Sequence, residues 1–123
     1  MTRTSILVGL TFAAFAAPAH AAGYPVQGQW GETAGAEKGA VDCAKLRVIG
    51  FNGEQRTDSK GGVPAYRNVS VSPQDAATFR IVDEFTNGQV NRGQVSFTLH
   101  KTDADHIELR LQIGGIVKLQ RCK

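Results

Sequence analysis

The sequence predicts a small all-β protein, an antiparallel barrel or sandwich of about seven or eight strands. Apolar and polar residues alternate in consecutive runs, and short turns rich in Gly, Asn and Asp separate these runs at roughly regular spacing. The alternation is clearest in residues 94–122, where three runs predict a C-terminal meander of adjacent strands.

Residues 1–21 precede this pattern and have the features of a secretory signal peptide. Arg3 supplies a positive charge, residues 6–17 carry none, and Ala19-His20-Ala21 is a small-x-small cleavage site. The apolar run is short for a membrane span. We therefore expect a cleaved signal peptide over 1–21, a single β-barrel domain over 22–123, and a periplasmic or secreted protein.

The middle of the chain carries the weaker patterns. Residues 46–51 predict a strand, whereas residues 55–62 are the most polar stretch and predict an exposed loop or an edge strand. Ser72-Pro73-Gln74-Asp75 is a helix-start pattern, so we expect at most one short helical turn near 72–77. Residues 79–85 alternate again and predict another strand.

The alternation of apolar residues predicts the register of the last two hairpins, because a slip of one residue would turn the whole apolar face of a strand outward. A three-residue loop at 113–115 pairs Leu111 with Val117 on the buried face. By the same alternation, the preceding hairpin is expected to have a three-residue loop, with His100 opposite His106 on the outer face.

Two cysteines, Cys43 and Cys122, follow the predicted signal peptide. An even number of cysteines in an exported chain favours a disulfide, since oxidising compartments preserve such bonds. The alternative, a reactive thiol or metal ligand, lacks a nearby Cys or His at ligand spacing. We expect one disulfide that closes most of the mature chain.

The charge of the chain excludes two classes of partner. Fourteen Lys and Arg residues balance eleven Asp and Glu residues to give a formal charge of +3, and the signs alternate along the predicted strands. Nucleic-acid binding calls for a basic stripe with interleaved aromatic residues, which is lacking. We expect neither nucleic-acid binding nor membrane insertion.

The sequence offers few candidate catalytic or metal-binding residues. His100, Asp103, Asp105 and His106 lie around one hairpin, where two imidazoles and two carboxylates could hold a divalent transition metal. The alternative, which we favour, is a plain surface hairpin, because Asp is common in turns. No Ser, His and Asp form a nucleophilic pattern. We therefore expect no metal, no cofactor and no enzymatic activity.

Asp83 breaks the apolar pattern of its strand, because the alternation points it inward. A buried carboxylate needs Arg or hydroxyl partners, or it has a raised pKa. Asp83 and Tyr66 are therefore candidates for lining a ligand cavity. In the alternative, Asp83 lies at a strand end or bulge, where water solvates it.

Gly28-Gln29-Trp30 at the predicted first strand, together with Arg121 near the end of the last, resembles the pattern of calycin-type barrels. This group includes lipocalins, avidin-like proteins and small bacterial periplasmic inhibitors of secreted metalloproteases. The resemblance implies that Trp30 closes one end of the barrel and that Arg121 stacks on it in a cation–π contact.

The resemblance also implies a way of acting, because the periplasmic inhibitors insert an N-terminal segment into the active-site cleft of their target. We expect a small exported binding protein that inhibits a hydrolase through residues 22–27 and the 55–62 loop. The alternative is a carrier of a small amphipathic ligand in the barrel mouth. The side chains expected to contact a partner are Tyr24, Pro25, Arg56, Asp58 and Lys60.

Overall fold

The structure is a computed structural model that describes residues 23–34 and 39–123, so the predicted signal peptide at 1–21 lies outside the described residues. Within them, eight antiparallel strands close into a barrel in chain order, and the last strand pairs with the first. The predicted all-β fold class is confirmed. The strands are β1 (Gly28–Glu32), β2 (Val48–Asn52), β3 (Gln55–Asp58), β4 (Tyr66–Pro73), β5 (Thr78–Phe85), β6 (Gly93–Lys101), β7 (His106–Leu111) and β8 (Ile116–Arg121).

The alternation of apolar residues in the sequence becomes the buried face of the barrel wall. Buried apolar side chains from the strands and from the lead-in to β1 form one continuous core, as expected where a strand presents every second residue to one side. The core residues are Tyr24, Val26, Trp30, Ile49, Phe51, Val71, Ile81, Phe97, Leu99, Ile107, Leu109, Val117 and Leu119.

The two cysteines lie at disulfide distance, as predicted, with 5.7 Å between their Cα atoms. Cys43 opens a 3-10 turn, and the bond to Cys122 ties this turn to the end of β8. The sulfur of Cys43 packs against Gly31 of β1, where a Cβ atom would lie 2.8 Å from it. A larger residue at position 31 would therefore displace the disulfide.

The helical turn predicted near 72–77 is absent. β4 continues through Pro73, and the amides of Gln74 and Asp75 both donate to the carbonyl oxygen of Thr78, at 2.8 and 3.3 Å. These hydrogen bonds close a hairpin loop between β4 and β5. The Ser-Pro-x-Asp pattern therefore marks the end of a strand and the turn that follows it. Asp is common in turns as well as at helix starts.

The predicted register of the last hairpin is wrong by two residues, although the prediction of which side chains face inward is right. Val117 pairs with Leu109, not with Leu111. The amide of Leu111 donates to the carbonyl oxygen of Gly115 at 3.1 Å, so the loop comprises residues 112–114, one position earlier than predicted. The inward face is unchanged, because moving the loop by one residue shifts the pairing by two.

The preceding hairpin shows the same kind of error. His100 faces Glu108, so the prediction that it lies opposite His106 is wrong. The amide of Thr102 donates to the carbonyl oxygen of His106 at 3.0 Å, which leaves residues 103–105 as the loop.

The weakest seam of the barrel lies between β3 and β4. Residues 55–62, predicted to be an exposed loop or edge strand, contain β3, which pairs with β4 only at Gln55–Arg67 and Arg56–Tyr66. A register shift between Asn68 and Ser70 follows in β4, so the wall bends there. No helix in the described part of the chain is long and apolar enough to span a membrane.

Candidate functional site

A buried ion pair lies inside the barrel next to the irregularity in β4. Asp83 is 0% exposed and Arg56 is 6% exposed, and the Nε of Arg56 donates to the Oδ2 of Asp83 at 2.7 Å. The side-chain amide nitrogen of Asn68, Nδ2, donates to the Oδ1 of Asp83 at 3.3 Å. Asp83 therefore has the Arg partner that its burial requires. The alternative of a solvated Asp83 is wrong, because its side chain is buried beside the β4 irregularity.

Arg56 also stacks on two aromatic rings. Its guanidinium carbon lies 3.9 Å from the ring centroid of Tyr66 and 4.9 Å from that of Phe97. Such cation–π contacts strengthen where water is excluded. The expected exposure of Arg56 is wrong, because the side chain is buried in the barrel and packs on Tyr66. Its contact with a partner stays a prediction.

The lead-in segment before β1 packs onto the barrel. Tyr24 is buried in edge contact with Phe51, at 4.9 Å between ring centroids, and its amide donates to the carbonyl oxygen of Gly53 at 3.1 Å. Burial, and then the nearby Asp83 carboxylate, raise the pKa of the Tyr24 hydroxyl well above its usual range. Tyr24 thus packs in the core, the adjacent Pro25 is half-buried, and the contact of these two residues with a partner stays a prediction.

Trp30 and Arg121 meet at the end of the barrel from which β1 starts. The guanidinium carbon of Arg121 lies 4.4 Å from the Trp30 ring centroid. The indole nitrogen of Trp30 and the Nη1 of Arg121 both donate to the carbonyl oxygen of Gln27, at 3.1 and 3.3 Å. The cation–π contact that the calycin resemblance implies is thus present between β1 and β8. The hydrogen bonds to Gln27 tie the lead-in segment to both strands.

Asp58 acts within the fold. Its side chain is 6% exposed and accepts hydrogen bonds from the Nη2 and Nε of Arg47, at 2.6 and 3.0 Å, while Arg47 also binds Glu32 at 3.0 Å. Two parallel hydrogen bonds from one guanidinium make this a strong pair. The Asp58 side chain is thus engaged within the fold, whereas Lys60 beside it is exposed. Contact of either residue with a partner stays a prediction.

We predict that this pair makes stability depend on pH. Burial disfavours ionisation of Asp58, but the hydrogen bonds from Arg47 and from the Lys60 amide outweigh it and hold the pKa of Asp58 below its ordinary value. A depressed folded-state pKa stabilises the fold above the unfolded pKa of about 3.9, and this is lost as pH falls through the folded value. In urea unfolding, the stability difference between the wild type and Asp58→Asn should be present at neutral pH and shrink toward about pH 2. A difference that does not change with pH would contradict this.

A groove lies at the β3–β4 seam. It has a volume of about 590 Å³ and lies where the short pairing of β3 and β4 leaves the wall incomplete. We call it the Tyr66 groove. Its lining residues are Asn52, Glu54, Gln55, Pro64, Ala65, Tyr66, Arg67, Glu84, Phe85 and Thr86.

Two aromatic rings give the Tyr66 groove an apolar surface. The rings of Tyr66 and Phe85 meet edge to face, with 5.7 Å between their centroids. Tyr66 lines this groove, whereas Asp83 is buried and does not line it. Phe85, Glu54 and Glu84 were not predicted as site residues. Pro64 was the available signal, because a proline before a strand lacks the amide that continues a sheet ladder.

The histidines do not form a metal site. The Nδ1 of His100 hydrogen-bonds the hydroxyl of Thr78 at 2.9 Å, and the Nδ1 of His106 pairs with the carboxylate of Asp103 at 2.8 Å. Across residues 23–34 and 39–123, no three His, Cys, Asp or Glu side chains lie close enough together to hold a metal ion. His106 and Asp103 instead shape the β6–β7 loop.

No protein-family model matches the chain, and no curated protein or solved structure is significantly similar to it.

Proposed function

We propose that this protein is a small exported, non-enzymatic binding protein that carries an amphipathic ligand in the Tyr66 groove. The groove itself supports this proposal most strongly. Its volume of about 590 Å³ is within the range of about 300–1,000 Å³ typical of small-molecule sites, and it combines aromatic rings with a polar rim. The disulfide supports export, because such bonds persist in oxidising compartments.

The ligand would sit in the wall of the barrel. Trp30, Phe51 and Phe97 occupy the interior together with the Arg56–Asp83 ion pair, which makes the interior a poor receptor for an apolar guest. The same ion pair supports the groove from beneath, because Arg56 stacks on Tyr66. A site whose side chains are already held in place loses less entropy when its ligand binds.

The test is binding of N-phenyl-1-naphthylamine, an uncharged amphipathic dye that fluoresces in apolar sites. We expect saturable binding that weakens by roughly tenfold or more, about 1.4 kcal/mol, in Ala65→Trp, whose indole would fill the groove. The matched control is Ala76→Trp in the exposed β4–β5 loop, which should bind as the wild type does. Binding that is unaffected by Ala65→Trp, or reduced equally by Ala76→Trp, would contradict the proposal.

An exposed apolar hairpin tip favours a second candidate function, inhibition of a hydrolase. Ile113 is 95% exposed at the tip of the β7–β8 hairpin, and Ile116 beyond it is 54% exposed. A projecting apolar side chain is the kind of anchor that fills a pocket of a protein partner. Inhibition of a purified secreted protease that is lost in Ile113→Asp but retained in Ala65→Trp would favour this function over ligand carriage.

A further inference from the structure

We infer that the ligand of the Tyr66 groove is an organic cation, an amine or quaternary ammonium with an apolar arm. This inference rests on the proposed function and adds the chemical class of the ligand. The main support for a cationic ligand comes from the carboxylate side chains. Within residues 23–34 and 39–123, every Asp and Glu side chain has a hydrogen-bond or ion-pair partner except those of Glu54 and Glu84.

These two unpartnered carboxylates line the same groove. They come from separate parts of the chain, Glu54 from the β2–β3 turn and Glu84 from β5. The other carboxylates serve loops, caps and ion pairs of the fold, so these two are free to receive a ligand cation. Two like charges that share one cavity also favour a counter-ion between them.

The aromatic lining suits the same ligand. Cations bind to the faces of aromatic rings, and the rings of Tyr66 and Phe85 also offer surface to an apolar arm. Arg56 beneath Tyr66 would repel a cation if its charge were free. Asp83 neutralises that charge at 2.7 Å, so the ion pair supports the ring without opposing the ligand.

Arg67 is the one cation among the lining residues of the Tyr66 groove. It pairs in register with Glu84 across the β4–β5 ladder, and the lining carries a net charge of −1 from two Glu and one Arg. The chain as a whole carries +3, which disfavours cations in general. A preference for cations must therefore arise from the groove itself. Arg67→Gln should strengthen this preference, because it removes the positive charge from the lining.

The experiment compares three ligands with the same ten-carbon chain, decyltrimethylammonium, decyl maltoside and decyl sulfate, by calorimetry below their micelle concentrations. We expect the ammonium to bind roughly tenfold more tightly than the maltoside, about 1.4 kcal/mol, at low salt. The ratio should fall as salt screens the carboxylates. The double variant Glu54→Gln/Glu84→Gln should lose the preference and keep its affinity for the maltoside.

The matched control, Glu32→Gln/Glu108→Gln, makes the same chemical change at two glutamates that pair with Arg47 and Arg110. It should keep the preference for the ammonium. If none of the three ligands binds, the proposed function itself fails. If the maltoside or the sulfate binds as tightly as the ammonium, or if both double variants lose the preference equally, the groove remains a binding site and the inference of a cationic ligand is overturned.

Discussion

Asp83→Asn should be less stable than the wild type by about 3–5 kcal/mol, the usual cost of removing one partner from a buried ion pair. The loss arises because Arg56 stays buried, with its charge no longer balanced by the carboxylate 2.7 Å away. In a domain of this size each kcal/mol lowers Tm by about 4–8 °C, so the change should be large in thermal unfolding. The fluorescence of Trp30, the single tryptophan of the chain, follows the transition.

A double variant keeps this prediction testable even if Asp83→Asn fails to fold. Arg56→Met/Asp83→Leu removes both charges and fills similar volume, and such replacements of buried pairs are often neutral or stabilising. It should therefore be clearly more stable than Asp83→Asn. Glu108→Gln, which breaks the exposed pair with Arg110 at 3.8 Å, should change stability by less than about 1 kcal/mol. Equal stability of Asp83→Asn and the wild type would show that Arg56 does not depend on this carboxylate.

The sequence predicted the β6–β8 meander because each strand there has one mostly apolar face. The register failed by two residues in both hairpins, since parity fixes the face but not the position of the loop along it. Local hydrogen bonds decide that position. In the β6–β7 loop, the carboxylate of Asp103 accepts from the amide of Asp105 and pairs with His106, so the turn centres one residue later than parity alone suggests.

The candidate site was harder to predict because its key contact joins distant residues. Alternation identified Asp83 as an inward carboxylate, but its partner Arg56 lies 27 positions away in a stretch with no apolar pattern. Because the neighbours of Arg56 are Gln, Thr and Asp, the sequence around it is typical of an exposed loop, although Arg56 itself points inward. The Tyr66 groove depends on how far β3 pairs with β4, which hydrophobic periodicity does not encode.

The N-terminal segment shows why a family resemblance does not fix a mechanism. The contact between Trp30 and Arg121 at 4.4 Å agrees with the calycin pattern, and membership of that group remains a prediction. The inhibitory mechanism that the resemblance implies needs a projecting N-terminal segment. Tyr24 and Val26 are instead part of the core, so their release into a cleft would expose buried apolar surface.

Removal of the disulfide should cost about 4.5 kcal/mol by the chain-entropy relation, because the cross-link spans 79 positions of the chain. The Cys43–Cys122 bond links the 3-10 turn to the end of β8, and β8 closes the barrel against β1. Without the bond the unfolded chain gains freedom, while the strand pairing of the folded state is unchanged. Urea unfolding of Cys43→Ser/Cys122→Ser, followed by Trp30 fluorescence, measures the loss.

Two comparisons separate this entropic effect from local damage. The reduced wild type should unfold at about the same urea concentration as the double Ser variant, since both lack the cross-link and differ only by two sulfur atoms. Gly31→Ala keeps the cysteines but places a methyl group 2.8 Å from the sulfur of Cys43, so it tests the packing of the disulfide on β1. A loss below about 1 kcal/mol in the double Ser variant would mean that the unfolded chain is already compact, so that the cross-link removes little of its freedom.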